Sequence, residues 1–319
     1  MSYQQTSLFS SFMGCDISKD TIAIYLSDRG EELTIANTAK TIQTCLKKYG
    51  SQEMLIICEA TGGYEACLLE ASVALGIPAH RADAAKVKAF IRSFGTMGKT
   101  DAIDARALAL YGQERQQKLD LWTPRSANRV KLQQLVARRD DLVQMRSAEK
   151  NRLKAPDNLN VKASIRAVIK ALTTQIDKLD HAIVCLVDQC VELKQIRSIL
   201  VEQKGIGQQT AAQLLAQMPE LGTLTRRQAA SLAGLAPHPR DSGQAKGHRT
   251  MRGGRKQLRP ALFMAAMSAA RTNPVLKSFY QRLVENGKKP KVALGAVMRK
   301  FIVILNAKVR DQYYQNLQS

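Results

Sequence analysis

Apolar runs of five or six residues, separated by turns, open the chain, and long helical periodicities replace them after about residue 125. Phe12 to Ile17 and Thr21 to Leu26 flank Ser18-Lys19-Asp20, a pattern that predicts a β-hairpin, and Leu33 to Ala36 supplies a third strand. The amphipathic spacing from Thr38 to Tyr49 predicts a helix. Met54 to Cys58 is an unbroken apolar run with the length of a buried central strand. Gly62-Gly63 then turns the chain into a helix reaching about Leu75, and Ile77 to His80 is a further short strand. Strands in a hairpin, followed by strands alternating with helices, predict a mixed α/β domain over residues 1–122. Over residues 123–199 the pattern from Ala127 to Ile199 is helical and rich in Lys, Arg, Gln, Leu and Val. It breaks once, at Ala155-Pro156-Asp157-Asn158, and so predicts a long helical hairpin. Its heptads are imperfect, which leaves partner binding and internal packing both open. Residues 200–319 begin with Gly205-Ile206-Gly207 before an apolar helix, pass through a Gly- and Arg-rich loop from Ala236 to Gly254, and end in helices over Lys256 to Ala270, Pro274 to Glu285 and Lys291 to Val309. The fold class is therefore α/β plus α.

Charge divides the chain differently. The 48 Lys and Arg against 27 Asp and Glu leave a net charge of +21 over 319 residues. Residues 1–120 sum to −1, residues 121–239 to +8 and residues 240–319 to +14. An excess concentrated in the last quarter selects a polyanionic partner, whose phosphates such a surface neutralises with release of counterions. A merely solvated basic helix face is the alternative. Aromatic residues are only 5%, so contact with the nucleic-acid backbone outweighs stacking on bases. The longest apolar run, Ala261 to Ala270, is half the roughly 20 residues of a membrane span, so no membrane is expected as partner. The first residues carry neither the basic start nor the apolar stretch of an export signal, and a cytoplasmic, bacterial location is expected. Cys15, Cys45, Cys58, Cys67, Cys185 and Cys190 include no Cys-x-x-Cys pair, and the four histidines are scattered, which argues against zinc and disulfide frameworks alike.

Four carboxylates stand where chemistry is expected. Asp16 closes the first strand, Glu59 closes the buried strand, and Asp101 and Asp104 lie three apart at the start of a helix, hence on one face of it. Converging carboxylates without a compensating lysine repel, and hard divalent cations, typically Mg²⁺, relieve that repulsion. Two such ions about 4 Å apart suit phosphodiester chemistry. Each acid also has a structural reading as a cap or turn residue. Gly95 to Thr100 resembles a phosphate-binding loop, but Ser93 stands where its first glycine belongs and the preceding segment reads as helix, so nucleotide binding there is rejected. Ser242 sits in the most basic stretch, beside Gly243, where a hydroxyl activated by a base or metal can attack phosphate; an ordinary Ser-Gly turn is the alternative. Arg240, Lys246, Arg249, Arg252, Arg255, Lys256 and Arg259 are candidates to clamp nucleic acid. Gly205 and Gly207 are candidates to offer backbone N–H groups to a phosphate, with a packing turn as the competing reading.

Asp16, Glu59 and Thr100-Asp101-Ala102-Ile103-Asp104-Ala105 resemble the DEDD pattern of the Piv-type DNA invertases and related insertion-sequence transposases. Lys204 to Gly207, Ser231 to Pro237, Asp241-Ser242-Gly243 and Arg252 to Arg255 resemble that family's C-terminal transposase domain. The resemblance implies a RuvC-like, RNase H-type N-terminal domain binding Mg²⁺ through Asp16, Glu59, Asp101 and Asp104. It also implies a helical C-terminal domain over 200–319 that supplies Ser242 as covalent nucleophile, in a composite site assembled between protomers. Donor and target DNA, a noncoding bridge RNA that pairs with both, and a homo-oligomer, dimeric and tetrameric when synapsed, are the implied partners. A Piv-like invertase and a RuvC-like nuclease that attacks with water, its serine structural, are the alternatives. A noncatalytic nucleic-acid-binding protein is the alternative from outside enzymology.

Overall fold

The computed structural model describes residues 9–93, 101–238 and 250–315, with residues 101 and 102 described by backbone alone. The chain divides into two compact units, Met1–Pro124 and Arg125–Ser319.

In the first unit β1 (Ser11–Ile17), β2 (Thr21–Leu26) and β3 (Glu31–Ala36) form an antiparallel meander. The helix α1 (Ala39–Tyr49) then leads to β4 (Met54–Glu59), α2 (Ala66–Ala74) and β5 (Ala79–Ala82). The sheet order is β3-β2-β1-β4-β5, with β4 parallel to β1 and β5 parallel to β4. Strand alternation sorts the core into two faces. Met13, Cys15, Ile56 and Cys58 pack with Ile42 and Leu46 of α1 and Leu68 and Leu69 of α2. Phe12, Leu55 and Ile57 pack on the opposite face with α3 (Ala84–Arg92) and α4 (Asp101–Arg115), through Val87, Phe90, Leu108 and Ala109.

The starts of β3 and β5 differ by two residues from those the sequence predicts, each for a local reason. β3 starts two residues early because Glu31 and Glu32 pair with Leu26 and Tyr25 on an exposed edge, where no apolar residue marks the pairing. β5 starts two residues late because the Ile77 N–H donates to Ser72 O at 2.8 Å, with Gly76 at φ 69°; Ile77 therefore finishes the turn that ends α2.

In the second unit α5 (Ala127–Lys154) and α6 (Lys162–Gln189) form the helical hairpin, joined by a short 3₁₀ stretch, Pro156–Val161. Leu142, Leu172 and Ile176 pack along the hairpin, and Arg139 pairs with Asp180 across it. A second break, unmarked by residue type, falls at Cys190 and separates α7 (Val191–Val201) from α6. Then follow α8 (Gln208–Gln217), α9 (Arg226–Leu232), the two-residue strands β6 (Pro237–His238) and β7 (Thr250–Met251), α10 (Leu258–Thr272), α11 (Pro274–Glu285) and α12 (Pro290–Val309). One core joins the base of the hairpin, through Leu132, Val136 and Val187, to Leu200, Leu214, Leu262 and Phe301 of the later helices. Buried Asn306 on α12 fastens the turn before α9: its Oδ1 accepts from Gly222 N at 2.8 Å and its Nδ2 donates to Leu224 O at 2.7 Å. Among the described residues no helix is long and apolar enough to cross a membrane.

Candidate active site

Register places the acids of the sheet. Cys15 pairs with Cys58 across β1 and β4, so Asp16 and Glu59, one residue on in each parallel strand, emerge side by side on the face that carries α3 and α4. Glu59 in turn pairs with Ala82, and Asp83 follows at the end of β5. The carboxyl ends of three neighbouring parallel strands thus each bear an acid.

α4 adds the fourth because β1 has no side chain where the helix crosses it. A methyl on Gly14 would lie 1.9 Å from Ala105 O and 2.6 Å from Ala109 N, and a methyl on Gly112 would lie 2.3 Å from the Ile57 Cδ1. Ala105, Ala109 and Gly112 form a stripe at helical spacing that lets α4 lie directly on β1 and β4. The helix runs from Gly14 back toward Phe12, antiparallel to β1, so its first turn stands at the strands' carboxyl ends, where the charge of Asp104 acts on Glu59. Asp101 begins α4; its side chain lies outside the described residues.

The proximity has an electrostatic consequence. Burial raises the Glu59 carboxyl above its ordinary range, Lys88 on α3 opposes this, and the charges of Asp16, Asp104 and Asp83 add to the rise. Lys88 is the compensating cation that the sequence did not disclose. Asp83 also caps α3, its Oδ1 accepting from Ala85 N at 2.8 Å and Lys86 N at 3.2 Å. The loop after Glu59 is held by buried Glu65. Its Oε2 accepts from Gly63 N (2.8 Å) and from the Thr61 backbone and hydroxyl, and its Oε1 meets Arg81 at 2.6 Å. Among the described residues, no three His, Cys, Asp or Glu side chains already enclose a point where a metal ion could sit. The donors are nevertheless all carboxylate oxygens, the set a hard divalent cation prefers, and their mutual repulsion at Glu59 is what such a cation relieves.

Arg240, Ser242, Lys246 and Arg249 lie in residues 239–249, outside those described, as do Gly95 to Thr100. The flanks of 239–249 are built firmly. β6 and β7 pair Pro237 with Met251 and His238 with Thr250. Behind them Gly254, at φ 63°, takes a position where a Cβ would lie 2.3 Å from Gly234 N, and Arg255 N donates to Leu232 O at 2.8 Å. Arg252 and Lys256 are exposed. Arg255 has an internal partner: its two terminal nitrogens each meet a Glu220 carboxylate oxygen at 2.7 Å. Arg259 Nη2 donates to Gly253 O at 2.7 Å, while its buried Nε has no partner among the described residues. Gly205, at φ 107°, abuts α10, where a Cβ would lie 2.7 Å from the Ala269 Cβ, so close packing there calls for a glycine. Gly207 is exposed and precedes α8.

Residues 197–281 match the profile of the transposase IS116/IS110/IS902 family, and residues 13–156 match a DEDD transposase profile of IS110. The pilin gene-inverting protein of Moraxella lacunata is 30% identical over 312 residues, covering 94% of this chain and 96% of that one. The chain belongs to the IS110 family of DEDD transposases. Two further relatives of this transposase are an IS110 protein of Streptomyces coelicolor, 32% identical over 43% of this chain and 35% of its own, and an IS900 protein of Mycobacterium paratuberculosis, 31% identical over 47% and 38%. Residues 13–156 contain all four acids, and residues 197–281 contain Ser242 and the β6–β7 flanks.

Proposed function

We propose that this transposase cuts and rejoins the DNA of an insertion sequence through Ser242. The Ser242 Oγ attacks a phosphodiester phosphorus. A new O–P bond forms as the bond to one deoxyribose oxygen breaks, the hydroxyl proton passes to water, and the leaving oxygen takes up a proton. Return attack by a deoxyribose hydroxyl frees the serine and joins the new strand, so no external energy source is needed. Asp16, Glu59 and Asp104, with Asp101, would hold a divalent cation, Mg²⁺, which when bound supplies Lewis-acid stabilisation of charge on the phosphate oxygens. The single observation that carries this reading is the register that sets Asp16 and Glu59 side by side at the ends of adjacent parallel strands, with Asp83 closing the next strand and the Asp104 charge acting on Glu59, more negative charge than Lys88 offsets. Acids at the ends of adjacent parallel strands also support a RuvC-like, RNase H-type domain.

Donor and target DNA, a bridge RNA and a homo-oligomeric synapse complete the proposal. Its support is the +14 charge of residues 240–319 together with few aromatics, a composition suited to holding backbones while base pairing reads sequence. A second reading, inversion of a DNA segment by the same chemistry, is favoured by the full-length likeness to a pilin gene-inverting protein.

The test uses a plasmid carrying the element with its native flanks. Wild type yields a protein–DNA adduct that survives denaturation; Ser242→Ala yields none while still binding DNA. An adduct persisting in Ser242→Ala overturns the serine role. A specific RNA copurifying with the protein favours transposition, and its absence favours inversion.

A further inference from the structure

Beside β6 and β7 the second unit holds a recess of about 590 Å³, bounded by α9, α11 and α12 and separate from every residue given a role above. Its volume lies within the roughly 300–1,000 Å³ of small-ligand sites. One face of α12 forms its floor, since Val292, Gly295, Ala296 and Val303 recur at spacings of three, four and seven residues. The small residues keep it open: a methyl on Gly295 would stand 2.8 Å from the Met251 Cε. Val292 is 59% exposed, so the apolar floor faces water.

The rim carries the opposite character. Arg226, Arg227, Arg299 and Lys300 line it, and no acidic residue does. These cations sit on braced elements. The reciprocal Thr225–Gln228 capping box starts α9, Asn306 fastens the turn before it, and the Lys300 Nζ rests 4.4 Å from the Phe279 ring centroid.

The geometry points to a site for one unstacked nucleotide of a single strand, its base in the apolar recess and its flanking phosphates on the cationic rim. The inference rests on the nucleic-acid reading above and deepens it. Charge decides against the other occupants. Residues 239–249, which leave from the wall at β6 and β7, carry a net +2, and the last 80 residues carry +14, so this chain's own basic segments are repelled by the rim. A duplex keeps its bases stacked and offers only phosphates, whereas an unpaired base can enter an apolar pocket while its flanking phosphates meet the rim.

Fluorescence anisotropy on the full chain, without divalent metal and at fixed salt, tests this with three probes: a 15-nucleotide single-stranded DNA, an RNA of the same sequence, and the matching DNA duplex. Ala296→Trp, which fills the recess, and Val292→Asp, at an exposed position that tolerates polarity, should each weaken single-strand binding about tenfold and change duplex binding less than twofold. Arg299→Glu should weaken the single strand further. Tighter binding of RNA or of DNA identifies the source of the nucleotide, and either supports the site. Equal losses on strand and duplex, or no loss with any variant, overturn it. So does unchanged strand binding with an altered sedimentation coefficient for Val292→Asp, which would make the recess a contact between copies. Because no strand transfer is read, the serine mechanism can fail while this site stands, and the reverse.

Discussion

Replacing Gly14 by alanine puts a methyl into the contact that positions the acidic cluster. The new Cβ would lie 1.9 Å from Ala105 O and 2.6 Å from Ala109 N, both backbone atoms of α4. Ordinary carbon contacts are about 3.5–4.0 Å, so helix and strand must separate by more than about 1 Å, and no side-chain rotation can absorb the clash. Overpacking costs typically 1–3 kcal/mol, and backbone collisions belong at the upper end, about 3 kcal/mol. Alanine recovers roughly 0.5–1 kcal/mol by restricting the unfolded chain, which leaves about 2 kcal/mol of net destabilisation. At about 4 °C per kcal/mol for a domain near 100 residues, the transition of the first unit should fall by roughly 8 °C in a calorimetric scan. Asp104 is the residue before Ala105 and moves with it. A displacement of about 1 Å in a positioned group can cost 10²-fold, so strand transfer should drop by about that factor in protein that remains folded. Gly207→Ala is the control, since its φ of −93° suits any residue and no atom lies within 4 Å of its new Cβ. A Gly14→Ala melting within about 2 °C of wild type, with strand transfer intact, would show that close approach of α4 to β1 does not set the cluster.

Arg255→Lys loses the two-pronged pair with Glu220, whose carboxyl Arg255 holds below its usual range against the opposing effect of burial; stability to urea should fall by about 1–2 kcal/mol. Arg252→Ala, at an exposed position, should leave the urea midpoint unchanged and reduce the slope of log affinity for DNA against log salt by about 1. Glu65, 3% exposed, is pushed up by burial but lowered overall by hydrogen bonds from its loop and from Arg81; its stabilisation is therefore complete above its ordinary value near 4.5 and disappears as pH falls below that toward its folded value. Urea titrations from pH 3 to 7 should show this loss in wild type and a flatter dependence in Glu65→Gln, and identical slopes would remove Glu65 from the acid response. Chelation of divalent cations should stop strand transfer while DNA binding persists; turnover in excess chelator would remove the metal role of the carboxylates.

The strands and helices legible in sequence are those whose partners are local or whose faces are uniform. β1 and β4 announce themselves as apolar runs, and Asp16 and Glu59 are conspicuous as the charges that end them. What stayed hidden depends on contacts between distant residues. Gly14 reads as an unremarked glycine in a strand until Ala105, 91 positions later, is seen to occupy the place of its missing side chain; a glycine inside a strand is nonetheless a signal of close backbone approach. Lys88 lies on α3 and Asp83 caps it, a helix that reads from sequence only as the run before Ser93, and their bearing on Glu59 needs β5 beside β4. Arg255 looks like any other member of a basic stretch, and its pairing with Glu220 becomes visible only when α8 and α10 pack together. The α12 face that floors the recess was present in the spacing of Val292, Gly295, Ala296 and Val303, yet an apolar helix face ordinarily means core, and only the structure shows it open.

The second unit's basic residues fall into two populations, and the difference bears on function. Arg129, Arg139 and Arg197 have carboxylate partners in Glu192, Asp180 and Asp188, all within the helices of residues 127–201. Residues 240–319 contain 17 basic residues and three acids, so internal pairing cannot neutralise them whatever their conformation. Such a concentration of like charge destabilises a compact fold, and it is retained where a polyanion supplies the compensation. The first unit shows the converse: its net charge is near zero, but three of its 14 acids stand together at the ends of three neighbouring parallel strands. On the proposed function that cluster, which repels phosphate, acts on DNA only with a cation in its midst, whereas the excess positive charge of the second unit suits it to hold phosphate without one. Affinity should therefore follow monovalent salt steeply and divalent cations weakly, and strand transfer should depend on both.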